Sequence, residues 1–289
     1  MTTLTYHAPR TREEAVALLA ADPTAKVLSG GTDLIVQMRG GRAAPTAIVD
    51  IKNVSAMMSV LGNDGRYSIG AAMPCTGMLR DEGLCKAWPG VVEAANLIGS
   101  VQVRNRATMG GNLCNASPAA DSIPALIAAG ATVLIVGPSG IREVPVEQVP
   151  VAPGKTSLTA GEFVVEIRLP VRPARSSDAY LRSIPRTEMD IAVVGAGVSI
   201  TLDEAGTCTA ARVALGAVAP TAILVPEAGA ALVGSKLDGA AMDAMAAAVR
   251  AACRPIDDKR GTAEYRTAMA GVLAKRTALI AAARAKGEA

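Results

Sequence analysis

The sequence predicts a fold that mixes α-helices and β-strands in two parts, and three observations support this. The chain has 289 residues, 50% of them hydrophobic, which is enough to bury a large core in two domains or in one domain with lobes. Strand-like and helix-like segments alternate over most of its first half. A polar, proline-containing stretch at 172–178, "RPARSSD", lacks apolar periodicity and is the predicted boundary between the two parts.

The first part opens with a predicted helix at 11–22. Thr11 and Glu14 form a capping box at its start, and Leu18 and Leu19 belong to its apolar face. The other elements predicted here are strands at 25–29, 47–51, 66–73 and 162–170, a helix at 33–39, a helix within 85–99 beyond Pro89, and a segment at 124–137 that passes from a short helix into a buried strand.

The second part begins with two strand-like runs at 191–203 and 208–220. We expect them to be adjacent and antiparallel, with a turn at 204–207. Two helical segments follow at 238–253 and 262–286. The last one is long, alanine-rich and amphipathic, which favours a helix that packs against the rest of the protein.

Composition argues against several classes of partner. The net charge is only +3 and aromatic residues make up 2%, so a nucleic-acid surface is not expected. No run of eighteen apolar residues and no secretory h-region is visible, so neither a transmembrane segment nor a signal peptide is predicted. Five widely spaced cysteines fit free thiols in a reducing compartment, which predicts a cytoplasmic location.

The chain has too few histidines for several common catalytic and metal-binding sites. His7 is the only one, and it lies near what we expect to be a flexible end. A Ser-His-Asp triad or a histidine-based zinc site is therefore not expected, and no C-x-x-C pair is present to hold an iron–sulfur cluster. We predict neither a catalytic side chain nor a metal site in this chain. If the protein is an enzyme, a cofactor carries its reactivity.

The first candidate binding loop is "LSGGTDLIVQMRGG", which follows a predicted strand and opens a helix. Glycines let a ligand approach the backbone, and N–H groups at a helix start favour an anion such as a diphosphate. The alternative is an ordinary turn that binds no ligand, which would also contain these residues. The loop lacks the lysine of a Walker motif, and the nearest dinucleotide fingerprint, "VVGAGVSI", has Ile200 in place of the third glycine and sits between strand-like runs.

The second candidate loop lies within "RNRATMGGNLCNASPAADSIPAL". It combines a Gly-Gly pair with many uncharged hydrogen-bonding side chains and one carboxylate, Asp121, which suits a ligand with phosphates and sugar or ribityl hydroxyls. A polar loop that caps its own backbone is the alternative. Two diglycine loops in one chain could form two sides of one cradle for a long ligand.

These stretches resemble a known family. "LSGGTDLIVQMR", "RNRATMGGNLCNASPAADSIPALIAAGA" and "IPRTEMDIAVVGAGV" are similar to the FAD-binding medium subunit of molybdenum hydroxylases, the family of the carbon monoxide dehydrogenase medium chain and the xanthine dehydrogenase flavin domain. "ARVALGAVAPTAILVPEAGAALVG" and "RPIDDKRGTAEYR" resemble its C-terminal domain. The match follows the family's order over nearly the whole chain.

The resemblance implies an α+β protein. Residues 1–173 would form a two-lobed FAD-binding domain of the vanillyl-alcohol-oxidase (PCMH) type, with a small lobe at about 1–55 and a larger lobe at about 56–173. Residues 176–289 would form a C-terminal domain of the carbon monoxide dehydrogenase flavoprotein type. FAD would lie extended between the lobes.

The resemblance also implies which residues bind FAD. The two loops would hold the diphosphate from two sides, and the second would also reach the ribityl chain. The residues assigned to the loops are Ser29, Gly30, Gly31, Thr32, Asp33 and Leu34 in the first, and Thr108, Met109, Gly110, Gly111 and Asn112 in the second.

Four further residues are assigned by the same resemblance. Asp121 falls where the family has an aspartate that accepts from the flavin's hydroxyls. Ile98 falls where some relatives place an aromatic side chain beside the isoalloxazine, and Val164 where an aliphatic side chain covers the ring. Arg182 falls where relatives often have a lysine near the pyrimidine edge. It keeps the positive charge but carries it on a planar guanidinium group. Ordinary core positions for Ile98 and Val164, and a solvated surface position for Arg182, are the alternatives.

Other nearby residues receive different interpretations. Arg186 and Asp190 are interpreted as structural, pinning the loop before the following strand. The cysteines are interpreted as small buried residues, with Cys114 the one nearest the flavin.

The function implied is that of an electron-transfer flavoprotein subunit. A large molybdopterin subunit would oxidise the substrate, a small subunit would carry two [2Fe–2S] clusters, and electrons would pass through FAD on this chain to an external acceptor. The expected assembly is a dimer of heterotrimers. One alternative is a self-contained flavin oxidase or reductase of the same fold, and another is a scaffold subunit that has lost FAD.

Overall fold

The computed structural model describes residues 4–288, with strands and helices spread along the whole range. The strands are β1 (Thr5–His7), β2 (Lys26–Leu28), β3 (Ala47–Asp50), β4 (Val60–Asn63), β5 (Arg66–Gly70), β6 (Thr132–Gly137), β7 (Gly140–Pro145), β8 (Pro150–Ala152), β9 (Lys155–Thr156), β10 (Phe163–Leu169), β11 (Ser176–Ser183), β12 (Val194–Leu202), β13 (Cys208–Gly216) and β14 (Ile223–Leu224). The α-helices are α1 (Arg12–Ala21), α2 (Leu34–Arg39), α3 (Cys75–Met78), α4 (Glu82–Ala87), α5 (Pro89–Asn96), α6 (Val101–Arg104), α7 (Met109–Cys114), α8 (Ser122–Ala128), α9 (Pro226–Ala230), α10 (Gly239–Ala252) and α11 (Ala263–Lys286).

The N-terminal lobe is built on a parallel sheet with the order β1-β3-β2. The central strand β3 is buried along its whole length, as its sequence "AIVD" favours. Helix α1 connects β1 to β2, and its predicted capping box is confirmed, because Thr11 accepts from the Glu14 N–H and Glu14 from the Thr11 N–H. The first diglycine loop directly follows β2. Because all three strands are parallel, this loop lies at the edge of the sheet where their carboxyl ends meet.

The second lobe is an antiparallel sheet with the order β4-β5-β10-β6-β7. Strand β10 lies in the middle and is mostly buried, in agreement with the strand predicted at 162–170. The pairing of β10 with β6 shifts between Val164 and Glu166, which marks a bulge. Helices α5, α7 and α8 carry buried faces that contribute to the apolar core of this lobe.

The C-terminal part is an antiparallel sheet with the order β11-β12-β13-β14, and α11 packs on β11 and β12. The predicted antiparallel pairing of the two strands after residue 190 is confirmed as β12 with β13. All of "VVGAGVSI" except its first residue, Val193, lies in β12, so this stretch does not open a helix. Helix α8 of the second lobe packs against this sheet so closely that a Cβ on Gly197 would stand 2.5 Å from the Pro124 carbonyl oxygen.

Two sequence interpretations need correction, and the stretch 172–178, predicted as the domain boundary, gains a structural detail. Strand β11 begins within this stretch, at Ser176, and its Asp178 is buried and paired with Arg172. Helix α4 was missed, since Trp88 and Pro89 separate it from α5. His7, expected in a flexible end, pairs with Val49 in the sheet.

Candidate functional site

The first diglycine loop forms a turn between β2 and α2. Gly31 has a φ of +77°, a left-handed conformation that glycine adopts without strain. The carbonyl groups of Gly31 and Asp33 accept from the N–H groups of α2, at 3.1 and 2.9 Å. Within residues 4–288, no acceptor takes a hydrogen bond from the backbone N–H groups of residues 30–34. The loop therefore presents a row of unpaired donors.

The second diglycine loop is the start of helix α7. Thr108 is its N-cap, and the Thr108 hydroxyl accepts from the Gly111 N–H at 2.9 Å. A Cβ on Gly110 would stand 2.5 Å from the Ala71 carbonyl oxygen, so this glycine is needed for the packing of α7 against the end of β5. Asn112 is fixed by Ser122, whose hydroxyl donates to Asn112 Oδ1 at 2.7 Å.

The two loops contact each other directly. Ser29 Oγ and Thr108 Oγ1 are 2.8 Å apart, and both residues are buried. Behind this contact, the Gln37 amide donates to Asn115 Oδ1 at 2.9 Å, which joins α2 to the end of α7. A Cβ on Gly30 would lie only 2.0 Å from the Arg106 carbonyl oxygen, so the backbones of the two lobes touch here.

Both loops line one cleft of about 670 Å³ between the lobes. Polar donors concentrate at the loops, while Ile98 and Val164 supply apolar wall and are both buried. Of the fifteen predicted cofactor-binding residues, those that line the cleft are Ser29, Gly30, Gly31, Thr32, Asp33, Leu34, Ile98, Thr108, Gly110, Gly111, Asn112 and Val164.

Three predicted residues lie outside the lining of this cleft. Met109 is in the core, 1% exposed. Asp121 and Arg182 form an ion pair, with Arg182 Nη1 2.6 Å from Asp121 Oδ2, and the Tyr180 hydroxyl donates to Asp121 Oδ1 at 3.0 Å. The Arg182 side chain is only 4% exposed, so its interpretation as a solvated surface residue is wrong. Contact of Asp121 and Arg182 with a flavin stays a prediction.

Burial sets the electrostatics of this ion pair. It raises the pKa of Asp121 to about 6, although the charge of Arg182 and the hydrogen bonds from Tyr180 and Arg182 oppose the rise. This pKa still lies below neutral pH, so Asp121 is mostly ionised there and balances the buried guanidinium. Burial and the neighbouring Asp121 carboxylate raise the pKa of the Tyr180 hydroxyl, which stays a neutral donor.

Arg186 and Asp190 form the loop contact that the sequence predicts. Arg186 Nε is 3.5 Å from Asp190 Oδ2, and Arg260 from another segment reaches Asp190 Oδ1 at 3.1 Å. The cysteines are unpaired, and burial raises the pKa of Cys114 at the cleft to about 12. That thiol has almost no thiolate at neutral pH, so it is unreactive.

The cleft also includes residues that the sequence interpretation missed. Lys26 lines its small-lobe side, and the segment 154–163 closes the opposite wall. This segment is fixed by a two-pronged ion pair in which Arg142 Nε and Nη2 contact the Glu162 carboxylate at 2.7 and 2.8 Å. Hydrogen bonds from Arg142 lower the pKa of Glu162 to about 2. In the sequence, the only signal for this wall is a polar stretch that contains glycines.

The cleft fits a flavin dinucleotide in the chemistry of its donors. A row of unpaired backbone N–H groups suits a diphosphate, which needs several donors and little side-chain charge. An apolar wall at Ile98 and Val164 suits an aromatic ring system. Within residues 4–288, no three His, Cys, Asp or Glu side chains gather closely enough to hold a metal ion. In the same described part, no helix combines the length and apolar character needed to cross a bilayer.

Comparison with known proteins decides the family. The FAD binding domain in molybdopterin dehydrogenase matches residues 2–172, and the CO dehydrogenase flavoprotein C-terminal domain matches residues 179–281. The chain belongs to this family of FAD-binding molybdopterin dehydrogenase subunits. The α+β fold, the family and the FAD cofactor expected from the sequence are thereby confirmed.

Full-length relatives agree with this membership. The carbon monoxide dehydrogenase medium chain of Afipia carboxidovorans is 35% identical over 283 residues, covering 97% of each chain. The xanthine dehydrogenase FAD-binding subunit of Escherichia coli O157:H7 is 32% identical over 285 residues, covering 98% of this chain and 97% of the relative. The structure of reconstituted CO dehydrogenase from Oligotropha carboxidovorans superposes with a TM-score of 0.93 at 34% identity, covering 98% of both chains. The chain is thus an oxidoreductase subunit that carries FAD.

Proposed function

We propose that this subunit passes electrons from the [2Fe–2S] clusters of a small partner subunit, through FAD, to an external acceptor. A large molybdenum-containing subunit oxidises the substrate in the same complex. The observation that carries the proposal is the cleft in which both diglycine loops meet and the first loop exposes unpaired N–H groups. Bound FAD would supply the ability to take up electrons singly or in pairs.

The residues of this chain have binding and positioning roles in the proposal. Backbone N–H groups of residues 30–34 hold the diphosphate, and Ile98 and Val164 exclude water from the ring end of the cleft. Arg182 provides a fixed positive charge near the pyrimidine edge, and Asp121 keeps its guanidinium in place. No side chain acts as a general base on an organic substrate, which distinguishes this role from that of a self-contained flavin oxidase.

The proposed assembly is a dimer of heterotrimers in the cytoplasm. Membership of a family whose named relatives include a medium chain and an FAD-binding subunit supports separate partner subunits. The unpaired state of the five cysteines, three of them buried, supports a reducing compartment.

Purification of the protein from its native source tests the proposed function. We expect a complex with one FAD per copy of this chain, together with larger and smaller subunits that contain molybdenum and iron. The isolated chain should hold FAD without turning over organic substrates. Colourless protein that does not bind added FAD would overturn the role in electron transfer. Substrate oxidation by the isolated chain would overturn the dependence on partners.

A further inference from the structure

A connected set of polar side chains lies behind the first diglycine loop, outside the lining of the cleft. The Tyr6 hydroxyl donates to Asp50 Oδ2 at 2.6 Å, and the Lys52 ammonium contacts Asp50 Oδ1 at 2.6 Å. The same ammonium donates to the carbonyl oxygen of Ser29 at 3.0 Å. We call these three side chains, Tyr6, Asp50 and Lys52, the brace. It joins strands β1 and β3 to the residue that follows β2.

The brace acts on one particular peptide. The Ser29 carbonyl and the Gly30 N–H belong to the same peptide unit, and the structure contains no cis peptide bond among its described residues. In a trans peptide, the C=O and N–H point in opposite directions. With Lys52 holding the carbonyl from behind, the Gly30 N–H must point away from Lys52. That N–H has no acceptor within residues 4–288, and Gly30 lines the cleft.

The ammonium also changes the strength of this donor. A positive charge at a carbonyl oxygen draws electron density through the amide and makes its N–H more positive, and the effect is larger where water is scarce. Asp50 is 6% exposed and the Lys52 side chain 21%, so solvent screens the contact only in part. The other lysine–aspartate pair within residues 4–288, Lys275 with Asp243, has side chains 35% and 74% exposed and lies between helices of the C-terminal part.

Ser29 is therefore held from two sides. Lys52 holds its carbonyl, and Thr108 of the second loop holds its hydroxyl at 2.8 Å. The Asp50 carboxylate keeps the ammonium in position. Burial alone would raise the pKa of Asp50, but hydrogen bonds from Lys52 and Tyr6 outweigh it and lower that pKa below the ordinary value. The carboxylate is thus ionised at neutral pH, as the brace requires.

We propose that Lys52 is a positioning residue for the cofactor diphosphate, acting through the Ser29–Gly30 peptide. Its ammonium orients this peptide and polarises it, so that the Gly30 N–H donates a stronger hydrogen bond to the diphosphate. Lys52 itself does not touch the cofactor. The proposal rests on the proposed FAD cleft and adds to it a residue that works from outside the cleft.

Titration of the full-length apoprotein with FAD, combined with ³¹P NMR of the bound diphosphate, tests the proposal. We expect Lys52→Met to raise the FAD dissociation constant about tenfold, because a charge-assisted contact is lost. It should also shift the ³¹P resonances of bound FAD. Lys52→Arg should restore most of the affinity, since it keeps a charged donor. Lys52→Gln, which keeps a neutral donor, should fall between them. The matched control Lys275→Met should change neither quantity.

The possible results distinguish a failure of the Lys52 proposal from a failure of the proposed FAD cleft. If wild-type protein binds FAD and Lys52→Met only lowers the unfolding temperature, with unchanged dissociation constant and ³¹P resonances, Lys52 is merely structural and the proposal is overturned. Should Lys52→Met not fold, Lys52→Gln decides by the same two readouts. Failure of the wild-type protein to bind FAD would overturn the proposed function together with the role of Lys52.

Discussion

The two diglycine loops look alike in sequence but present different surfaces in the structure. The first is a left-handed turn whose N–H groups at residues 30–34 have no acceptor within the described chain. The second is a helix start in which the Thr108 cap already occupies the Gly111 N–H. We therefore propose that the first loop is the principal diphosphate site and that the second loop, which has fewer free N–H groups, mainly closes the cleft.

Within each pair, the two glycines also differ. A Cβ on Gly30 or Gly110 would collide with backbone of the facing segment, at 2.0 and 2.5 Å. Gly31 instead provides the left-handed turn, and a Cβ on Gly111 would meet only the Thr108 hydroxyl at 3.0 Å. Gly30 thus allows the two lobes to touch, Gly110 allows close packing within the second lobe, and Gly31 provides the turn conformation.

The largest effect that tests this difference is expected from Gly31→Ala. An alanine in the left-handed conformation costs about 1–2 kcal/mol. The loop should relieve this strain by rotating its peptides, which misaligns the free N–H groups and weakens FAD binding about tenfold or more. Gly206→Ala is a control for the backbone strain alone, because Gly206 has a φ of +75° with open space around it, whereas a Cβ on Gly31 would also lie 3.0 Å from Leu28 Cδ1 and from Ile35 Cδ1. Fluorescence titration with FAD and thermal unfolding measure the two effects.

The control should lose the stability that the backbone strain costs, without any change in FAD affinity. Gly111→Ala should weaken FAD binding less than Gly31→Ala does, since Gly111 lies in a right-handed helix and its N–H is already used by Thr108. Equal losses of affinity in Gly31→Ala and Gly111→Ala would contradict the unequal roles of the loops.

A smaller effect is expected from Thr108→Ala. It removes the cap of α7 and the contact with Ser29, so it should lower the free energy of unfolding by about 1 kcal/mol. FAD affinity should fall about threefold, because the loops are no longer joined through Ser29. Thr262→Ala removes the equivalent cap of α11, where the Thr262 hydroxyl accepts from the Tyr265 N–H at 3.1 Å. Urea unfolding and FAD titration of both variants would show whether only Thr108 couples stability to cofactor binding; equal FAD affinity in both would refute that coupling.

Much of this site was visible in the sequence, because glycine pairs after a strand and polar clusters before a helix have local causes. Twelve of the fifteen predicted binding residues line the cleft in the structure. Which glycine of a pair packs against protein was not predictable. The facing groups, the carbonyls of Arg106 and Ala71, arrive through tertiary contacts that no local pattern encodes.

The missed features share a physical cause. Asp178 follows two serines in the polar stretch 172–178, yet it is 1% exposed and paired with Arg172. Asp50 and Lys52 resemble ordinary charges at the end of a strand, but folding places them behind the Ser29 carbonyl. A charge that is buried only by distant partners carries no local signature, so such positions require the structure.

Amide hydrogen exchange of the full-length protein, with FAD bound and after its removal, tests the central claim most directly. The first loop should hold the diphosphate through its backbone. We therefore predict that FAD slows exchange most at the N–H groups of residues 30–34, with a smaller change at residues 109–111. Strong protection at residues 109–111 with none at residues 30–34 would contradict the account.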